Sequence, residues 1–228
     1  LDLSASKLNH FILCGESFRR LYLENEKRPR SYAAARGQSV HGAAEVNFKR
    51  KIMTRDDMAS RDFVDLAVSN FDNLSKSGDI EQQGTERGVS VETLKGKTRD
   101  TVADLAYFHV KRQAPEYQPI FVEEWFEIQL PNRKLRGIID LGTEEKQVVD
   151  FKTRGKYPAS DEAARSLQLT TSAAGFRSLT GEMPSEVILD VTVNMATATK
   201  RYQLKSQRDQ ADFSALAERI DSVESAIE

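Results

Sequence analysis

The sequence has very few cysteines and no long apolar run. Cys14 is the only cysteine among the 228 residues, which excludes an internal disulfide and any zinc or iron–sulfur site built from four cysteines of this chain. No apolar run reaches the length of a membrane span, and no signal peptide is visible. Hydrophobic residues make up 39% and charged residues 30%, so we expect an ordinary soluble protein of the reducing cytoplasm, without a membrane association.

An excess of positive charge is also lacking. The net charge is −2, so the chain shows no global basic signature of nucleic-acid binding. Local basic clusters remain, although each is as readily explained as a solvated face. These clusters are Arg19 with Arg20, Arg28 with Arg30 and Arg36, Lys49 with Arg50 and Lys51, and Arg133 with Lys134 and Arg136.

The length suits one domain with a full-sized core. We interpret residues 1–228 as a single domain, with a mainly helical part at 1–115 and a sheet with flanking helices at 116–228. The chain begins at Leu1 rather than at a methionine, which leaves open that it belongs to a longer protein.

Residues 136–153, RGIIDLGTEEKQVVDFKT, are typical of two β-strands joined by a tight turn. Runs rich in isoleucine, leucine and valine flank a polar segment with the length and glycine content of a hairpin connection. Folding the hairpin about Glu144 and Glu145 places Asp140 roughly opposite Asp150. Because side chains alternate along a strand, Asp150 and Lys152 share one face. The hairpin is therefore expected to bring two carboxylates and an ammonium together.

Two neighbouring carboxylates repel each other unless a cation neutralises them. A hard divalent ion with oxygen ligands does this, and it leaves coordination positions for phosphate and water. The pattern thus favours metal-assisted phosphodiester cleavage. The alternative is a surface hairpin with an exposed Asp and Lys pair, because an isolated D-x-K occurs by chance in many proteins.

The motif GIID, followed by nine residues and DFK, resembles the core of the PD-(D/E)xK nucleases, and GIID...VVDFKT is most similar to their RecB-type exonuclease branch. The resemblance implies a mixed α+β fold with a restriction-endonuclease-like core, in which helices flank a central mixed sheet. It implies catalysis by Asp140, Asp150 and Lys152. Asp140, Asp150 and the backbone carbonyl of Phe151 would bind Mg²⁺ or Mn²⁺, while Lys152 would orient the attacking water and offset the charge developing on the phosphate.

Two further segments extend the implied metal site. The string GQSVHGA resembles the G-x-x-x-H segment of RecB-type and CRISPR-adaptation nucleases, whose histidine approaches the metal, and this gives the role to His41. Without the resemblance, a lone histidine on an apolar helix face is more typical of a hydrogen-bonded core residue. Val122 and Glu123 match the V-E that precedes the catalytic strand in the family, which implies that Glu123 is a metal ligand. Glu124 and Glu127 remain alternatives, as does an exposed strand carboxylate.

The helix predicted for residues 161–178 carries the implied substrate contacts. In the family this helix bears Q-x-x-x-Y, two side chains that reach toward DNA. Gln168 matches the first position and Ser172 stands at the second, so both are candidate substrate-binding residues. The serine puts stacking at this position in doubt, and Tyr157 or Phe176 are the candidates to replace the missing aromatic side chain.

The opening segment, LSASKLNHFILCGESFRRLYLE, resembles the start of RecB-type nuclease domains. In the iron–sulfur members of the family, the equivalent of Cys14 joins three more cysteines near the C-terminus, and this sequence has none there. We expect no iron–sulfur cluster from this chain alone; the alternative is that the chain ends before those cysteines. The alternative role for Cys14 is a small buried residue packed within the first helix.

Hydrophobic periodicity predicts the remaining elements. The predicted helices are 4–27, 32–51, 56–76, 97–113, 161–178 with Ser160 as its cap, and a last helix through 213–227. The predicted strands outside the hairpin are 120–130, 186–195 and 201–205. Residues 77–96 are predicted as a long connection with one short ordered piece at 89–94, and His10 and His109 as structural or exposed residues.

The resemblance implies a Mg²⁺- or Mn²⁺-dependent deoxyribonuclease, similar to an exonuclease, that acts on single-stranded DNA or duplex ends. Recombination, phage or CRISPR-type proteins are the implied partners. Two alternatives stay open: a catalytically degenerate nuclease fold that serves as a DNA-binding or assembly module, and a sequence-specific endonuclease.

Overall fold

The computed structural model describes residues 2–131, 133–195 and 198–227. Within these ranges the chain forms eight α-helices and five β-strands, with one turn of π-helix at Arg19–Leu23. The elements are α1 (Ala5–Leu13), α2 (Gly15–Phe18), α3 (Tyr32–Thr54), α4 (Ser60–Lys76), α5 (Val91–Arg112), β1 (Pro119–Gln129), β2 (Lys134–Thr143), β3 (Gln147–Arg154), α6 (Glu162–Arg165), α7 (Leu167–Thr180), β4 (Glu186–Asn194), β5 (Thr199–Ser206) and α8 (Gln210–Ile227). None of the helices in these ranges is long and apolar enough to cross a membrane.

One five-stranded sheet forms the centre of the fold, with the strands in the order β1-β2-β3-β4-β5. Strands β1, β2 and β3 pair antiparallel, β3 and β4 pair parallel, and β4 and β5 pair antiparallel. The parallel pairing of β3 and β4 requires a crossover connection between them, which α6 and α7 supply. The predicted mixed sheet flanked by helices is confirmed.

Helices cover both faces of this sheet. Val149 on β3 packs into a cluster with residues of α3, α4 and α5, whereas its neighbour Val148 packs into a second cluster with residues of α7. This is the alternation expected of a strand that is buried on both faces. Phe48 of the first cluster and Phe176 of the second are each 1% exposed. The two cores therefore hold β3, and the polar residues it carries, in a fixed place between helix layers.

Strands β2 and β3 form the predicted hairpin. Leu141 pairs with Val149 and Gly142 with Val148, and the turn between the strands lies at Glu144 and Glu145. Continued by one step, this register sets Asp140 opposite Asp150.

The helix predicted for residues 4–27 is wrong in extent, because it is interrupted at Cys14. The Cys14 backbone is extended, at φ −165° and ψ 105°, and its Sγ accepts a hydrogen bond from the Ser17 N–H at the start of α2. Cys14 is exposed, so the predicted burial within the first helix is wrong too. Phe11 and Phe18 still meet across the break, with ring centroids 5.4 Å apart. Apolar periodicity therefore continues through the interruption and could not reveal it.

The helix predicted for residues 161–178 is divided in the same way. Ser166 has an extended backbone between α6 and α7, and its Oγ accepts a hydrogen bond from the Leu169 N–H. Ser166, rather than the predicted Ser160, therefore caps the long helix that carries the candidate substrate-binding residues.

The connection before α5 is shorter than predicted. Ser90 caps α5, which begins at Val91, so the ordered piece predicted at 89–94 contains the first turn of this helix. Helix α4 begins at Ser60, later than predicted. At α5 the Ser90 cap, rather than the apolar pattern, sets the boundary.

Candidate metal centre

Three of the predicted metal ligands converge at the edge of β1 and β2 nearest to α3. His41 projects from α3, and its Nε2 lies 3.0 Å from Asp140 Oδ2 while its Nδ1 lies 3.2 Å from Glu123 Oε1. One possible ligand atom from each of the three residues lies within 4.8 Å of the other two. His41 is thus held between two carboxylates and is not an isolated core histidine.

The side chains of Glu123 and Asp140 point to the same place because the side-chain alternation of β1 and β2 reverses at these two residues. On β2, Leu141 packs into the core with α3, whereas Ile139, two residues earlier, packs into the opposite core. Residues two apart in a regular strand share a face. The residue opposite this reversal on β1 is Glu123, whose φ of 51° lies in the left-handed region that residues other than glycine rarely adopt. A strained backbone therefore directs the Glu123 carboxylate toward Asp140.

We expect the free energy of unfolding of the metal-free Glu123→Gly protein to be about 1–2 kcal/mol higher than that of the matched control Glu124→Gly. Glycine adopts the left-handed conformation without a Cβ clash, and the substitution also removes a carboxylate that Asp140 repels. The control places glycine in an exposed, regular strand position, where it only weakens the strand. Denaturant unfolding in EDTA measures both variants. Equal losses in the free energy of unfolding would show that the Glu123 backbone stores no strain.

The structure also separates Glu123 from the two alternative acids. Glu127 is engaged by Lys134 at 2.6 Å and by Arg136 at 2.8 Å, and Glu124 is exposed. Of the three carboxylates on this strand, Glu123 is the one that approaches His41.

Asp150 and Lys152 share a face of β3. The Lys152 ammonium donates to Asp150 Oδ1 at 2.9 Å. Asp150 is 3% exposed, and its Oδ2 is buried without a hydrogen-bond partner among the described residues. The Phe151 N–H donates to Asp140 Oδ2 at 3.3 Å. This contact links the acid of β2 to the strand segment that carries Asp150 and Lys152.

The electrostatics of these residues are coupled. Burial, followed by the charge of Asp140, raises the pKa of Asp150 to about 6. Burial also acts to raise the pKa of Asp140, but the hydrogen bond with His41 and the charge of Lys152 outweigh it and the pKa is lowered. For His41 and Lys152, burial acts to lower each pKa, and the neighbouring acids outweigh it and raise both. At neutral pH the site therefore holds ionised carboxylates that burial disfavours.

The donor atoms fit a hard divalent cation. Carboxylate oxygens predominate, joined by one imidazole, a set that suits Mg²⁺ or Mn²⁺ better than a thiolate-preferring ion. A buried carboxylate oxygen without a partner is costly unless a ligand satisfies it. The unpartnered Oδ2 of Asp150 beside Asp140 is such an atom, and a cation at this position would satisfy it.

Helix α7 carries both candidate substrate-binding residues, which differ in exposure. Gln168 is half-buried near the start of the helix, whereas Ser172 is 4% exposed and offers almost no surface to a bound strand. Both roles remain predictions. Phe176 is 1% exposed, so its ring cannot stack on a base, whereas Tyr157 is 54% exposed.

Neighbouring acids neutralise many of the basic residues noted in the sequence. Glu16 pairs with both Arg19 and Arg20, and Lys51 pairs with Asp57 at 2.9 Å. The pairs of Arg28 with Glu26, Lys49 with Glu45, and Lys134 and Arg136 with Glu127 follow the same pattern. These contacts favour the solvated-face interpretation of the clusters.

A buried polar chain behind the metal centre was missed from the sequence. Asp190 on β4 is fully buried and accepts hydrogen bonds from Gln113, Tyr117 and Arg201. Gln113 Oε1 lies 3.0 Å from His109 Nδ1. The available signal was the acid at the centre of the mainly apolar run VILDVTV, because a buried acid requires polar partners from elsewhere in the chain.

His109 lies in an aromatic environment against β3. Its ring stacks on Phe63 with centroids 5.5 Å apart and meets the Phe151 ring edge to face at 5.1 Å. Burial lowers the pKa of His109 to about 4, so the ring is neutral at pH 7. Of the two roles predicted for it, the structural one is confirmed.

A mixed five-stranded sheet with acids, a lysine and a histidine gathered at one hairpin defines the restriction-endonuclease-like class of nuclease folds. The family model described as the PD-(D/E)XK nuclease superfamily matches residues 2–228. The chain therefore belongs to the PD-(D/E)XK nuclease superfamily.

A solved structure has a similar fold. A protein from Eubacterium rectale, provisionally named an exonuclease, is 12% identical, with a TM-score of 0.56 over 99% of this chain and 78% of that chain. The structure of a protein called SSO0001 is 13% identical and covers 93% of this chain and 80% of that chain, but its TM-score of 0.33 is too low to support an argument. A comparison with curated proteins gave no match.

Proposed function

We propose that the protein is a Mg²⁺- or Mn²⁺-dependent deoxyribonuclease of the RecB-type branch that works as an exonuclease on single-stranded DNA or duplex ends. The observation that carries the proposal is the buried Oδ2 of Asp150 beside Asp140, which has no hydrogen-bond partner in the part of the chain that the structure describes. Structural residues in a core are normally paired, so an orphaned oxygen among acids points to a cation. The name of the Eubacterium rectale protein supports the exonucleolytic mode.

Each residue of the site has a separate role in this proposal. The ion would be held by His41, Glu123, Asp140, Asp150 and the Phe151 carbonyl. His41 also contacts the carboxylates of Glu123 and Asp140 and so helps to orient them. When bound, the cation polarises the phosphate and acidifies water. Lys152, whose side chain is 46% exposed, orients the attacking water and offsets the negative charge of the transition state.

The proposal also includes the setting of the enzyme. Residues 1–228 act as one nuclease domain in the cytoplasm, with DNA ends as the substrate and with recombination, phage or CRISPR-type proteins as partners. Gln168 contacts the DNA from α7, beside Ser172.

Removal of divalent metal should abolish cleavage. We expect end-labelled single-stranded and duplex linear DNA to be degraded with Mg²⁺ or Mn²⁺, to remain intact in excess EDTA, and to be degraded again when either metal is restored. Covalently closed circular DNA should resist cleavage. The Asp150→Asn protein, purified in parallel, controls for contaminating nucleases.

Two results of this digestion would contradict the proposal. Activity that persists in excess EDTA, or that needs zinc, would show that the metal site is misassigned. Circular DNA cut as fast as linear DNA would replace the exonuclease by an endonuclease.

A degenerate DNA-binding or assembly module is the second candidate. The observation that favours it is Ser172, which is buried where the family has a tyrosine that reaches toward DNA. Such a module would bind DNA and leave it uncut under every metal condition above.

A further inference from the structure

A cavity of about 320 Å³ lies beside His41 and Lys152, between α3 and α5. Its volume falls within the range of small-ligand sites, roughly 300–1,000 Å³. Phe151 and His109 also line this cavity, so it extends from the candidate metal centre to the buried polar chain behind it. Its size and position indicate a binding site.

The charge of the cavity wall suits part of a nucleotide. His41 and Lys152 line it, and no carboxylate is among the described residues that do so. A second opening on the other side of His41 is lined by Glu45, Asp79 and Glu123, which would repel a phosphate backbone. A nucleic-acid strand at the metal centre would therefore meet the first cavity, next to Lys152, with less repulsion.

The hydrogen bonds from Asp190 through Gln113 determine which ring nitrogen of His109 can accept a hydrogen bond. Asp190 accepts from the Gln113 Nε2 at 2.8 Å, which requires Gln113 Oε1 to be the acceptor toward its other partners. Thr192 donates to this Oε1 at 3.0 Å, and His109 Nδ1 lies at 3.0 Å from it. The proton of the neutral ring is therefore on Nδ1. The Nε2 is left as a bare acceptor, and it is buried without a partner among the described residues.

We propose that this cavity binds the nucleobase next to the phosphate that is cut, and that His109 Nε2 accepts a hydrogen bond from the exocyclic amino group of that base. Adenine and cytosine carry such a donor on their base edges. Enzymes that act on an unstacked base read it through hydrogen bonds together with apolar and aromatic walls, and Phe151 supplies an aromatic wall here. The inference rests on the proposed nuclease function and defines a base preference for it.

Gly37 provides a second observation. It lies in α3 one turn before His41 and lines the same cavity. Glycine within a helix is less stable than alanine, and a Cβ at Gly37 would meet no atom of the described residues within 4 Å. The missing side chain leaves room for a ligand beside His41.

Nucleotide binding tests the inference without a need for cleavage. The probes are dAMP and dCMP, each compared with the analogue that lacks only the amino group, namely the deoxyriboside 5′-monophosphates of purine and 2-pyrimidinone. We expect calorimetry in Ca²⁺ to show about tenfold tighter binding of the amino-bearing member in at least one pair. Equal affinities in both pairs, or no binding of any probe, would overturn the inference.

Three variants locate the site. Gly37→Leu should fill the cavity and abolish binding, whereas Gly96→Leu, the matched control, adds the same side chain at an open position of α5 outside the cavity. His109→Phe keeps an aromatic ring but removes the acceptor, so it should equalise the affinities within each pair. If Gly37→Leu binds the probes as tightly as wild type does, the cavity is not the site and the inference falls.

These results separate the inference from the function on which it rests. If the wild-type protein degrades DNA but binds both members of each nucleotide pair equally, the nuclease function stands and the base site is overturned. The opposite result is a wild-type protein that prefers the amino-bearing nucleotides, no longer binds them after Gly37→Leu and never cuts DNA. That result would support the base site and contradict the nuclease function.

Discussion

Asp150→Asn should cut DNA at least about a thousandfold more slowly than the wild-type protein, which corresponds to roughly 4 kcal/mol of lost transition-state stabilisation. The amide has the shape of the carboxylate but no charge, and it replaces one oxygen by a donor that repels a cation. Asp150 is 3% exposed, so water cannot easily take the place of the lost ligand. DNA binding measured in Ca²⁺ should persist, because Lys152 and the α7 side chains are unchanged.

The same substitution should stabilise the metal-free protein at neutral pH. The pKa of Asp150 is raised from 3.8 to about 6, so the folded state holds this proton more tightly than the unfolded chain does. The group therefore favours folding only in acid, and its contribution is lost as the pH rises through about 6. At pH 7 the ionised carboxylate disfavours the fold by roughly 3 kcal/mol. Asp150→Asn should recover about this amount at pH 7 and almost nothing below about pH 3, where the carboxyl is mostly protonated in both states.

Cleavage time courses with Mg²⁺ or Mn²⁺ and urea unfolding in EDTA at pH 7 and at about pH 3 measure both effects. Glu124→Gln is the matched control, because it neutralises an exposed acid next to the site and should leave cleavage at the wild-type rate. If Asp150→Asn cuts DNA as fast as wild type, the hairpin is not the active site. If it lowers the stability at pH 7, Asp150 is a structural residue whose ion pair with Lys152 holds the fold.

The central hairpin was predictable from sequence because its determinants are local. Alternation along β3 places Asp150 and Lys152 on one face, and the turn at Glu144 and Glu145 sets the register. The structure has this register, with Leu141 opposite Val149. Neighbouring residues along one hairpin therefore contain enough information to place two acids and a lysine together.

The remaining part of the metal centre depends on departures from regular geometry. Strict alternation gives no reason to prefer Glu123 to Glu124 or Glu127, and it is the left-handed backbone at Glu123 that brings its carboxylate to His41. Sequence patterns describe regular strands, and a single residue with positive φ leaves no trace in them. Residues held in such conformations concentrate at functional sites, which is consistent with a metal ligand at Glu123.

The interruption of the first helix has a different cause. Cys14 caps α2 through its Sγ, a role in which serine, threonine or aspartate is expected, so no capping signal was visible. The hydrogen bonds from Asp190 through Gln113 to His109 join β4 to the C-terminal end of α5. The contact between Asp190 and Gln113 links residues distant in sequence and depends on the assembled sheet, and hydrophobic periodicity carries no information about it.

Lys152→Ala should slow cleavage by about a hundred- to a thousandfold, roughly 3–4 kcal/mol in the activation free energy. The Lys152 ammonium lies 2.9 Å from Asp150 Oδ1, and in the proposed enzyme it orients the attacking water. Its removal takes away the group that orients this water and the positive charge that offsets the transition state. The carboxylates remain, so the metal should still bind.

Loss of Lys152 should also shift the pH dependence of metal binding. The charge and hydrogen bond of Lys152 act to lower the pKa of Asp150, against the larger effect of burial. Without them the pKa of Asp150 rises further above its ordinary value, and ionisation of this ligand needs a higher pH. Titration of Mn²⁺ by calorimetry over a pH series should therefore show the onset of binding at higher pH in Lys152→Ala than in wild type. Lys205→Ala is the matched control, because Lys205 pairs with Glu186 on the far strands at 3.0 Å and should change neither property.

The decisive comparison is a cleavage time course beside a DNA-binding titration in Ca²⁺ for wild type, Lys152→Ala and Lys205→Ala. The proposed enzyme requires that all three bind DNA and that Lys152→Ala alone is slow, with its metal affinity kept at high pH. If wild type binds DNA but never cuts it with Mg²⁺ or Mn²⁺, on any form of DNA, the module replaces the enzyme. If Lys152→Ala cuts like wild type, the ammonium serves only to balance the charge of Asp150, and another group must position the water.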